Sequence, residues 1–367
     1  MLAAACITHP NSARQNLIAH TMNHLEKLNA AYRNAPEIFQ AGRYWKAYEE
    51  QITNEVKQAD LSELRSGKYP IFSTFGFNDL VYYYHPGMPF YIKFIRQFVR
   101  KLFIDNRASL PYSLRLSDIR EMAYKHSSLQ GQLTGAQPIS GIEASEYGNP
   151  QDLFLVKGQK YTMKFLSFYV RYCFAQNHLK IRGDETIIEL GSGSGTQVEI
   201  LKKMYPNLTI LCFDLPAQLY LCEKYLSNVF GSEAIVSSEK NLERSDLSEL
   251  EKGKIHFFGN WQFPLLKEFQ FDIFWNAASF GEMEPHIVTN YLRYIKGNCD
   301  WVYLMQARNG KESTKESGVV NPILFADYNQ MLDSNYALVD EDDAYDAHRR
   351  VSQTGGYFQA LWQQKHQ

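Results

Sequence analysis

The sequence predicts an α/β fold in which a mostly parallel β-sheet is covered by helices on both faces and preceded by a helical region. After Gly183, short apolar runs alternate with stretches of helical periodicity, which is typical of strand–helix–strand units. These runs lack the alternation of a half-exposed strand, which indicates strands buried on both faces. One run leads directly into a turn with three glycines. Upstream, apolar residues recur at three- and four-residue steps, which favours helices.

Six apolar runs make up the predicted sheet. The strands are expected at Thr186 to Leu190, Leu208 to Phe213, Ile255 to Phe258, Phe271 to Asn276, Trp301 to Gln306 and Tyr357 to Trp362. Helices are expected between them at Val198 to Met204 and Leu219 to Val229. A longer helix is predicted in front of the sheet, from about Gly158 to His178. The acidic run Asp340 to Asp343 is predicted to be a solvated loop rather than a metal site.

The N-terminal region is predicted to be a separate helical unit. The pattern from Ser12 to about Gln58 is helical, whereas Leu129 to Gly148 is rich in Gly, Ser, Gln and Pro and is the best candidate for a boundary. We therefore expect residues 1–150 to form a helical cap and residues 151–367 to form the sheet domain. A chain of 367 residues is long enough for two such domains.

The composition argues against several classes of partner. A net charge of −2 lacks the positive potential that nucleic acids and anionic membranes attract. No apolar stretch reaches 18 residues, and the first residues lack the basic segment of a signal peptide. The five cysteines form no CxxC pair, so neither a zinc knuckle nor a disulfide framework is indicated. We expect a cytoplasmic protein that binds no nucleic acid and no membrane, and leave the oligomeric state open.

The glycine-rich turn carries the strongest functional signal. Its sequence is TIIELGSGSG, from Thr186 to Gly195, so a predicted strand runs into three glycines and then a helix. Glycine permits a sharp turn and lets a ligand approach the backbone closely. The spacing is GxGxG after an acidic residue, whereas a dinucleotide fold prefers GxGxxG and a phosphate loop needs a following Gly-Lys. A purely structural turn is the alternative. The candidate cofactor residues here are Glu189, Gly191, Ser192, Gly193 and Gly195.

An acidic residue follows at the end of the next strand. Asp214 lies 23 residues after Gly191, close to the spacing of about 20 at which a carboxylate accepts hydrogen bonds from ribose hydroxyls. A helix N-cap in front of Pro216 is the alternative role. We add four further candidate cofactor contacts by their position after strands: Leu215, Asn260, Trp261 and Asn276.

Four segments of the chain resemble one family of enzymes. They are Ile187 to Gly195, Phe213 to Pro216, Asn276 to Pro285 and Asn290 to Ile295, and they resemble the sugar O-methyltransferase family of bacterial polysaccharide and glycosylated natural-product biosynthesis. The resemblance extends from about Lys157 to the C-terminus. It implies a class I methyltransferase domain with a Rossmann-like sheet of seven strands, S-adenosylmethionine (SAM) as cofactor, and a small-molecule or nucleotide-linked sugar as methyl acceptor. The N-terminal cap would then select the acceptor.

The segment after the fourth strand is the expected catalytic region. Ligands in open α/β sheets bind beyond the carboxyl ends of the strands. Two residues there can take a proton from an acceptor hydroxyl: Glu282 and His286. We prefer His286 slightly because imidazole titrates near neutral pH; its alternative role is to open a helix together with Glu284. The next candidates are His85 and His348.

Metal-assisted transfer is disfavoured, because no carboxylate cluster follows the fourth strand, so we expect no metal site. Three other functions stay open: methyl transfer to a phenol, a polyketide hydroxyl or an amine; a binding subunit that has lost catalysis; and a nicotinamide-dependent oxidoreductase, which the glycine spacing disfavours.

Overall fold

The computed structural model describes residues 24–69, 71–74, 77, 112–311, 318–344 and 356–365. The ten helices of these residues are α1 (24–33), α2 (Arg43–Gln58), α3 (Ile71–Thr74), α4 (Tyr112–Thr134), α5 (Met163–Leu179), α6 (Thr196–Met204), α7 (Pro216–Phe230), α8 (Ser238–Asn241), α9 (Pro285–Ile295) and α10 (Phe325–Leu332). Short 3₁₀ helices cover Glu37–Phe39, Leu61–Glu63, Ile139–Gly141, Ser232–Ala234, Asn260–Glu268 and Phe280–Glu282. None of the helices described is long and apolar enough to cross a membrane.

Ten strands form two sheets in the same part of the chain. They are β1 (Phe154–Val156), β2 (Gln159–Tyr161), β3 (Thr186–Leu190), β4 (Thr209–Asp214), β5 (Ile235–Val236), β6 (Ile255–Gly259), β7 (Phe271–Ala277), β8 (Cys299–Ala307), β9 (Tyr336–Asp343) and β10 (Tyr357–Gln364). The main sheet has the order β5-β6-β4-β3-β7-β8-β10-β9. Strands β5 to β8, with β3 and β4, pair in parallel, whereas β10 is antiparallel to both β8 and β9. The mostly parallel α/β fold is confirmed. The sheet has eight strands, whereas the resemblance implied seven. Two of them lie outside the six predicted apolar runs: the two-residue β5 at one edge and β9 at the other.

The sheet is buried on both faces, as its continuous apolar strands predicted. Neighbouring residues of one strand point to opposite sides, so Ile187 and Trp275 belong to one buried cluster while Ile188 and Phe274 belong to the other. The strand order reverses at β3, which pairs with β4 on one side and β7 on the other. The carboxyl ends of these three strands therefore meet at the switch point where ligands bind in open α/β sheets.

Two predicted elements differ from the structure. The helix predicted from Gly158 begins at Met163, because β1 and β2 form a hairpin over the preceding residues and the Thr162 hydroxyl caps the helix by accepting a hydrogen bond from the Phe165 N–H. The acidic run predicted as a loop is the second half of strand β9. Other elements supply partners to these acids: His178 forms a hydrogen bond with Asp340, and Arg308 pairs with Glu341 and Asp343.

The described N-terminal helices pack directly on the sheet domain. Leu25 and Leu28 of α1 and Ile52 of α2 are fully buried in the same cluster as Leu226 of α7. The stretch from Leu129 to Gly148 begins inside α4 rather than in a linker. The division into residues 1–150 and 151–367 stays a prediction.

Candidate functional site

A cavity of about 320 Å³ opens at the carboxyl ends of β3, β4 and β7. Seven parts of the chain contribute to its wall: Gln40 to Gly42 with Trp45, one face of α5, the glycine turn with Glu189, the start of α7 with Asp214, Asn260 after β6, the segment after β7 with Glu282, and Ile287 and Tyr291 of α9. The size lies at the lower end of the range for small-molecule sites. The cavity is therefore where the sequence predicted a ligand, between the glycine turn and the fourth parallel strand.

The three glycines of the turn all adopt the left-handed conformation that favours glycine. Their φ angles are +79° at Gly191, +51° at Gly193 and +71° at Gly195. A Cβ on Gly191 would lie 2.5 Å from the Ser279 Cβ, so this glycine lets the segment after β7 approach the turn. A Cβ on Gly195 would lie 3.1 Å from the Cys222 Sγ. Gly191, Ser192 and Gly193 line the cavity, whereas Gly195 is the N-cap of α6 and packs against α7. The expected cofactor contact of Gly195 stays a prediction.

Glu189 is the acidic residue in front of the turn and lines the cavity. The residue is only 5% exposed, and its Oε2 has no hydrogen-bond partner in the structure. Burial raises the pKa of the Glu189 carboxyl to about 8, against the opposing effects of the Ser192 hydroxyl and the Arg171 guanidinium. An unpartnered acceptor in this position is suited to a ligand donor.

Asp214 faces the glycine turn from the end of β4. Its carboxylate accepts hydrogen bonds from the N–H groups of Gly193 and Leu215, both at 2.8 Å. Burial raises the pKa of Asp214 to about 6, and these two hydrogen bonds oppose the shift. The N-cap of α7 is Leu215, with Pro216 as the first helical residue, so Asp214 is not the cap of this helix. Both Asp214 and Leu215 line the cavity, where the ligand role placed them.

Asn260 and Trp261 follow β6, and their side chains lie in different places. The Asn260 side chain lines the cavity, donates to the Phe39 carbonyl at 2.6 Å and the Tyr291 hydroxyl at 2.9 Å, and leaves its Oδ1 without a partner. Trp261 points away and packs against the Tyr32 ring, with 5.5 Å between ring centroids. Its ring covers Gly259. The expected contact of Trp261 with the cofactor stays a prediction, and this orientation does not support it.

Asn276 lies behind the cavity wall rather than in it. Its Nδ2 donates to the Leu190 carbonyl at 2.8 Å, and its Oδ1 accepts from the Phe280 N–H at 3.1 Å and from the Gln306 side chain at 2.6 Å. These bonds join β3, β8 and the segment after β7. The amide is fully buried and holds the segment in place. The expected role of Asn276 as a cofactor contact stays a prediction, and its burial does not support it. That segment contains Ala278, whose φ of +64° is strained for a residue with a Cβ.

The two candidate bases are in different places. Glu282 lines the cavity with an 11% exposed side chain, whereas His286 is exposed in the first turn of α9 and does not line the cavity. The Lys311 ammonium and the Trp45 indole donate hydrogen bonds to the Glu282 carboxylate. Burial raises the pKa of Glu282, and Lys311 opposes this rise. The base stays a prediction, and the position of Glu282 in the cavity wall favours Glu282 over His286. His85 and His348 lie outside the described residues.

Sequence reasoning missed the cationic face of α5 and the aromatic contribution of α2. Lys164, Phe168 and Arg171 line the cavity at intervals of four and three residues, which place them on one face of the helix. The only available signal was this spacing of two basic residues within an otherwise apolar helix. Trp45 had no such signal, because only the packing of α2 brings it to the cavity.

A metal centre is not visible in the described parts of the chain, where no group of three or more His, Cys, Asp or Glu side chains has the arrangement of metal ligands. The predicted absence of a metal stays a prediction. What the cavity does present is a set of hydrogen-bond acceptors and two cations around a glycine turn. Such a wall is suited to a ligand that has hydroxyls, amino groups and an anionic group.

Comparison with known proteins shows similarity in fold. No model of a known protein family matches the chain, and no curated protein matches it in sequence. Solved structures with a similar fold include the pyocyanin biosynthetic protein PhzM, with 11% identity, 50% of this chain and 52% of that chain covered, and a TM-score of 0.35. This chain therefore matches about half of PhzM.

Two further solved structures cover more of their own chains. Magnesium protoporphyrin IX methyltransferase from Synechocystis, solved with bound SAH, has 9% identity over 55% of this chain and 86% of that chain, with a TM-score of 0.36. A TehB-like SAM-dependent methyltransferase from Corynebacterium glutamicum has 12% identity over 51% of this chain and 83% of that chain, with a TM-score of 0.34. At these identities the likeness concerns the fold alone.

Proposed function

We propose that this protein is a SAM-dependent methyltransferase. The observation that supports it most directly is the 2.8 Å hydrogen bond between the Gly193 N–H and the Asp214 carboxylate, at the switch point of the sheet. It sets a buried carboxylate beside a left-handed glycine turn, in the order of strand, turn, helix and acid that the sequence predicted. A merely structural turn would not need the cavity that Asp214 and Glu189 line.

The acceptor atoms of the cavity fit the adenosine part of SAM. Asp214 is placed to accept hydrogen bonds from ribose hydroxyls. The unpartnered Oδ1 of Asn260 is a suitable acceptor for an exocyclic amino group, such as that of adenine. Both residues line the same cavity wall, on the side of β4 and β6.

Methyl transfer to an oxygen acceptor needs a base, and we assign this role to Glu282. Bound SAM supplies a methyl group activated by a positively charged sulfur. The Glu282 carboxylate takes the proton of the acceptor hydroxyl, and the oxygen then becomes the nucleophile. Lys311 and Trp45 hold the carboxylate in the cavity through their hydrogen bonds. The raised pKa of Glu282 makes this carboxylate a stronger base than an exposed one.

A sugar hydroxyl is the acceptor that we propose. The flat apolar ring of Trp45 and the carboxylate of Glu282 share the cavity wall, and sugars present an apolar ring face beside hydroxyl groups. The sequence resemblance supports the same class, including nucleotide-linked sugars. Phenols, polyketide hydroxyls and amines are the rival acceptors. An acidic hydroxyl or an amine that is already nucleophilic does not need a base as strong as the buried Glu282 carboxylate.

The test combines binding with turnover. Calorimetry with SAM and with NAD is expected to show binding of SAM alone. Mass spectrometry after incubation with SAM and a panel of nucleotide-linked sugars, free sugars, phenols and amines is expected to detect methylated sugar. Methylation confined to phenols or amines would replace the proposed acceptor class. Binding of SAM without turnover on any acceptor would favour a binding subunit over an enzyme.

A further inference from the structure

One face of helix α5 brings two cations to the cavity, both close to the same aromatic ring. The Arg171 guanidinium carbon lies 4.1 Å from the centroid of the Phe168 ring, and the Lys164 Nζ lies 5.3 Å from it. Lys164 also donates a hydrogen bond to the Ser194 hydroxyl at 3.0 Å, which connects the helix to the glycine turn. Within the described part of the chain, Arg171 makes no ion pair, so its charge is available to a ligand.

Glu189 lies close enough to Arg171 for the guanidinium to influence its carboxyl. Glu189 is buried and its Oε2 is unpartnered, although an acid buried beside a cation is expected to use both oxygens. The cavity thus has an open acceptor and a cation next to each other. An α-amino acid presents the complementary pair, because its ammonium and carboxylate groups are attached to the same carbon.

The two cations of the described wall, Lys164 and Arg171, both come from α5, whereas its carboxylates are Glu189, Asp214 and Glu282. Glu189 is the carboxylate on which the Arg171 charge acts, and Asp214 and Glu282 come from other elements. An anionic group on a ligand is therefore attracted to α5 and repelled from Asp214 and Glu282.

We infer that Glu189, Lys164 and Arg171 bind the α-amino-acid end of the ligand, with the two cations holding its carboxylate and Glu189 holding its ammonium group. The inference rests on the proposed function, and under that function the ligand is the methionine moiety of SAM. In this orientation the amino-acid end of the cofactor lies at α5 and its ribose lies at the end of β4, so the part of the cavity beside Glu282 is left for the acceptor. Lys164, Phe168 and Arg171 then act in cofactor binding, although they lie before the glycine turn in sequence.

The experiment compares two ligands that differ at this end only. S-adenosylhomocysteine carries the amino-acid group, and 5′-methylthioadenosine lacks it. In Arg171→Met we expect the Kd for S-adenosylhomocysteine to rise about 10- to 100-fold, as for the loss of a charged hydrogen bond, and the Kd for 5′-methylthioadenosine to stay within about two-fold. Lys164→Met is expected to show the same selectivity, and Arg171→Lys to recover part of the affinity.

The matched control is Lys224→Met, which removes a cation lying 5.3 Å above the Tyr220 ring but outside this cavity. It is expected to leave both affinities unchanged. Equal losses for the two ligands in Arg171→Met would overturn the inference and indicate a structural role. An unchanged Kd for S-adenosylhomocysteine would also overturn it; a raised acceptor KM in that variant would assign the cations to an anionic acceptor. If the unaltered protein binds neither ligand, the proposed function itself fails.

Discussion

The Trp45 indole of helix α2 donates a hydrogen bond to the Glu282 carboxylate, which lies in the segment after β7. Trp45 and Glu282 are 237 positions apart in the sequence, and both line the cavity. The N-terminal region contributes a side chain to the site as well as helices to the core. The N-terminal region is predicted to select the acceptor, and substitution of Trp45 tests this role.

The first prediction therefore concerns Trp45. Trp45→Ala is expected to raise the acceptor KM about 10-fold or more and to lower kcat, because the variant loses both the ring and the donor to Glu282. Trp45→Phe keeps a ring and is expected to recover much of the KM. SAM affinity, measured by calorimetry, should change little in either variant. Acceptor kinetics that are the same in all three proteins would remove Trp45 from the acceptor site.

The second prediction concerns Asp214. Asp214→Ala should weaken SAM binding by about 1–3 kcal/mol, since ribose hydroxyls and the Gly193 N–H would lose their acceptor. Asp246→Ala is a suitable control, because that carboxylate is an exposed acceptor for Ser248 and lies outside the cavity. Calorimetric titration with SAM measures both. Equal affinities in the two variants would contradict the assignment of Asp214 to the ribose.

The third prediction is a pH dependence from the buried acids of the cavity. Burial raises the pKa of Glu189 to about 8 and that of Asp214 to about 6, so the ligand-free protein keeps both carboxyls protonated at low pH. In the unfolded chain both carboxyls have pKa values near 4. The stabilisation of the fold by the neutral carboxyls is therefore complete below about pH 4, and it is lost as the pH rises through the folded pKa values of about 6 and about 8. Tm without ligand should fall over this range.

SAM affinity should change in the opposite direction, because the ligand's ammonium group and hydroxyls favour the ionised carboxylates. Calorimetry between pH 5.5 and 8.5 is expected to show a rising affinity together with proton release on binding. The side chain introduced by Glu189→Gln cannot ionise. In that variant the change of Tm and the change of SAM affinity between about pH 7 and 8.5 should therefore disappear. A SAM affinity that is constant over the whole range would contradict the prediction.

Sequence reasoning was most reliable where burial alone determines structure. The strand Thr186 to Leu190 was predicted with its observed ends, because a parallel strand covered on both faces is a continuous apolar run. Strand β9 was missed because its acids resemble a loop, and only tertiary structure supplies Arg308 and His178 as their partners. Its antiparallel position at the sheet edge is likewise a long-range property.

The same distinction applies to the site. Glu189 and Asp214, which both line the cavity, could be singled out in the sequence because strand, turn and acid follow each other locally. The sequence could not show that Asn276 and Trp261 lie outside the cavity wall, because the direction of a side chain at a strand end depends on its neighbours, here Gln306 and Tyr32. Arg171 was missed because its role depends on which face of α5 is turned to the cavity.

The fourth prediction is that activity is independent of added metal. The described residues contain no cluster of metal ligands, and the proposed reaction needs only a base and the cofactor. Turnover should be the same with and without EDTA. Loss of turnover on chelation, reversed by magnesium, would redirect attention to Asp340 and its acidic neighbours on β9.

The last prediction separates the two candidate bases. Glu282→Gln preserves the shape and removes the proton acceptor, so kcat should fall about 10²–10⁴-fold while SAM affinity changes little. His286→Ala should keep a near-normal kcat, since the imidazole is exposed on α9 and is not part of the cavity wall. The pH profile of kcat in the unaltered protein should rise through a pKa above the ordinary value of a carboxyl, because burial raises that of Glu282. Lys311→Met removes the charge that opposes this rise, so the profile should shift to higher pH if Glu282 is the base. A full loss in His286→Ala, with normal turnover in Glu282→Gln, would restore the histidine as the base and require α9 to move toward the cavity when the acceptor binds.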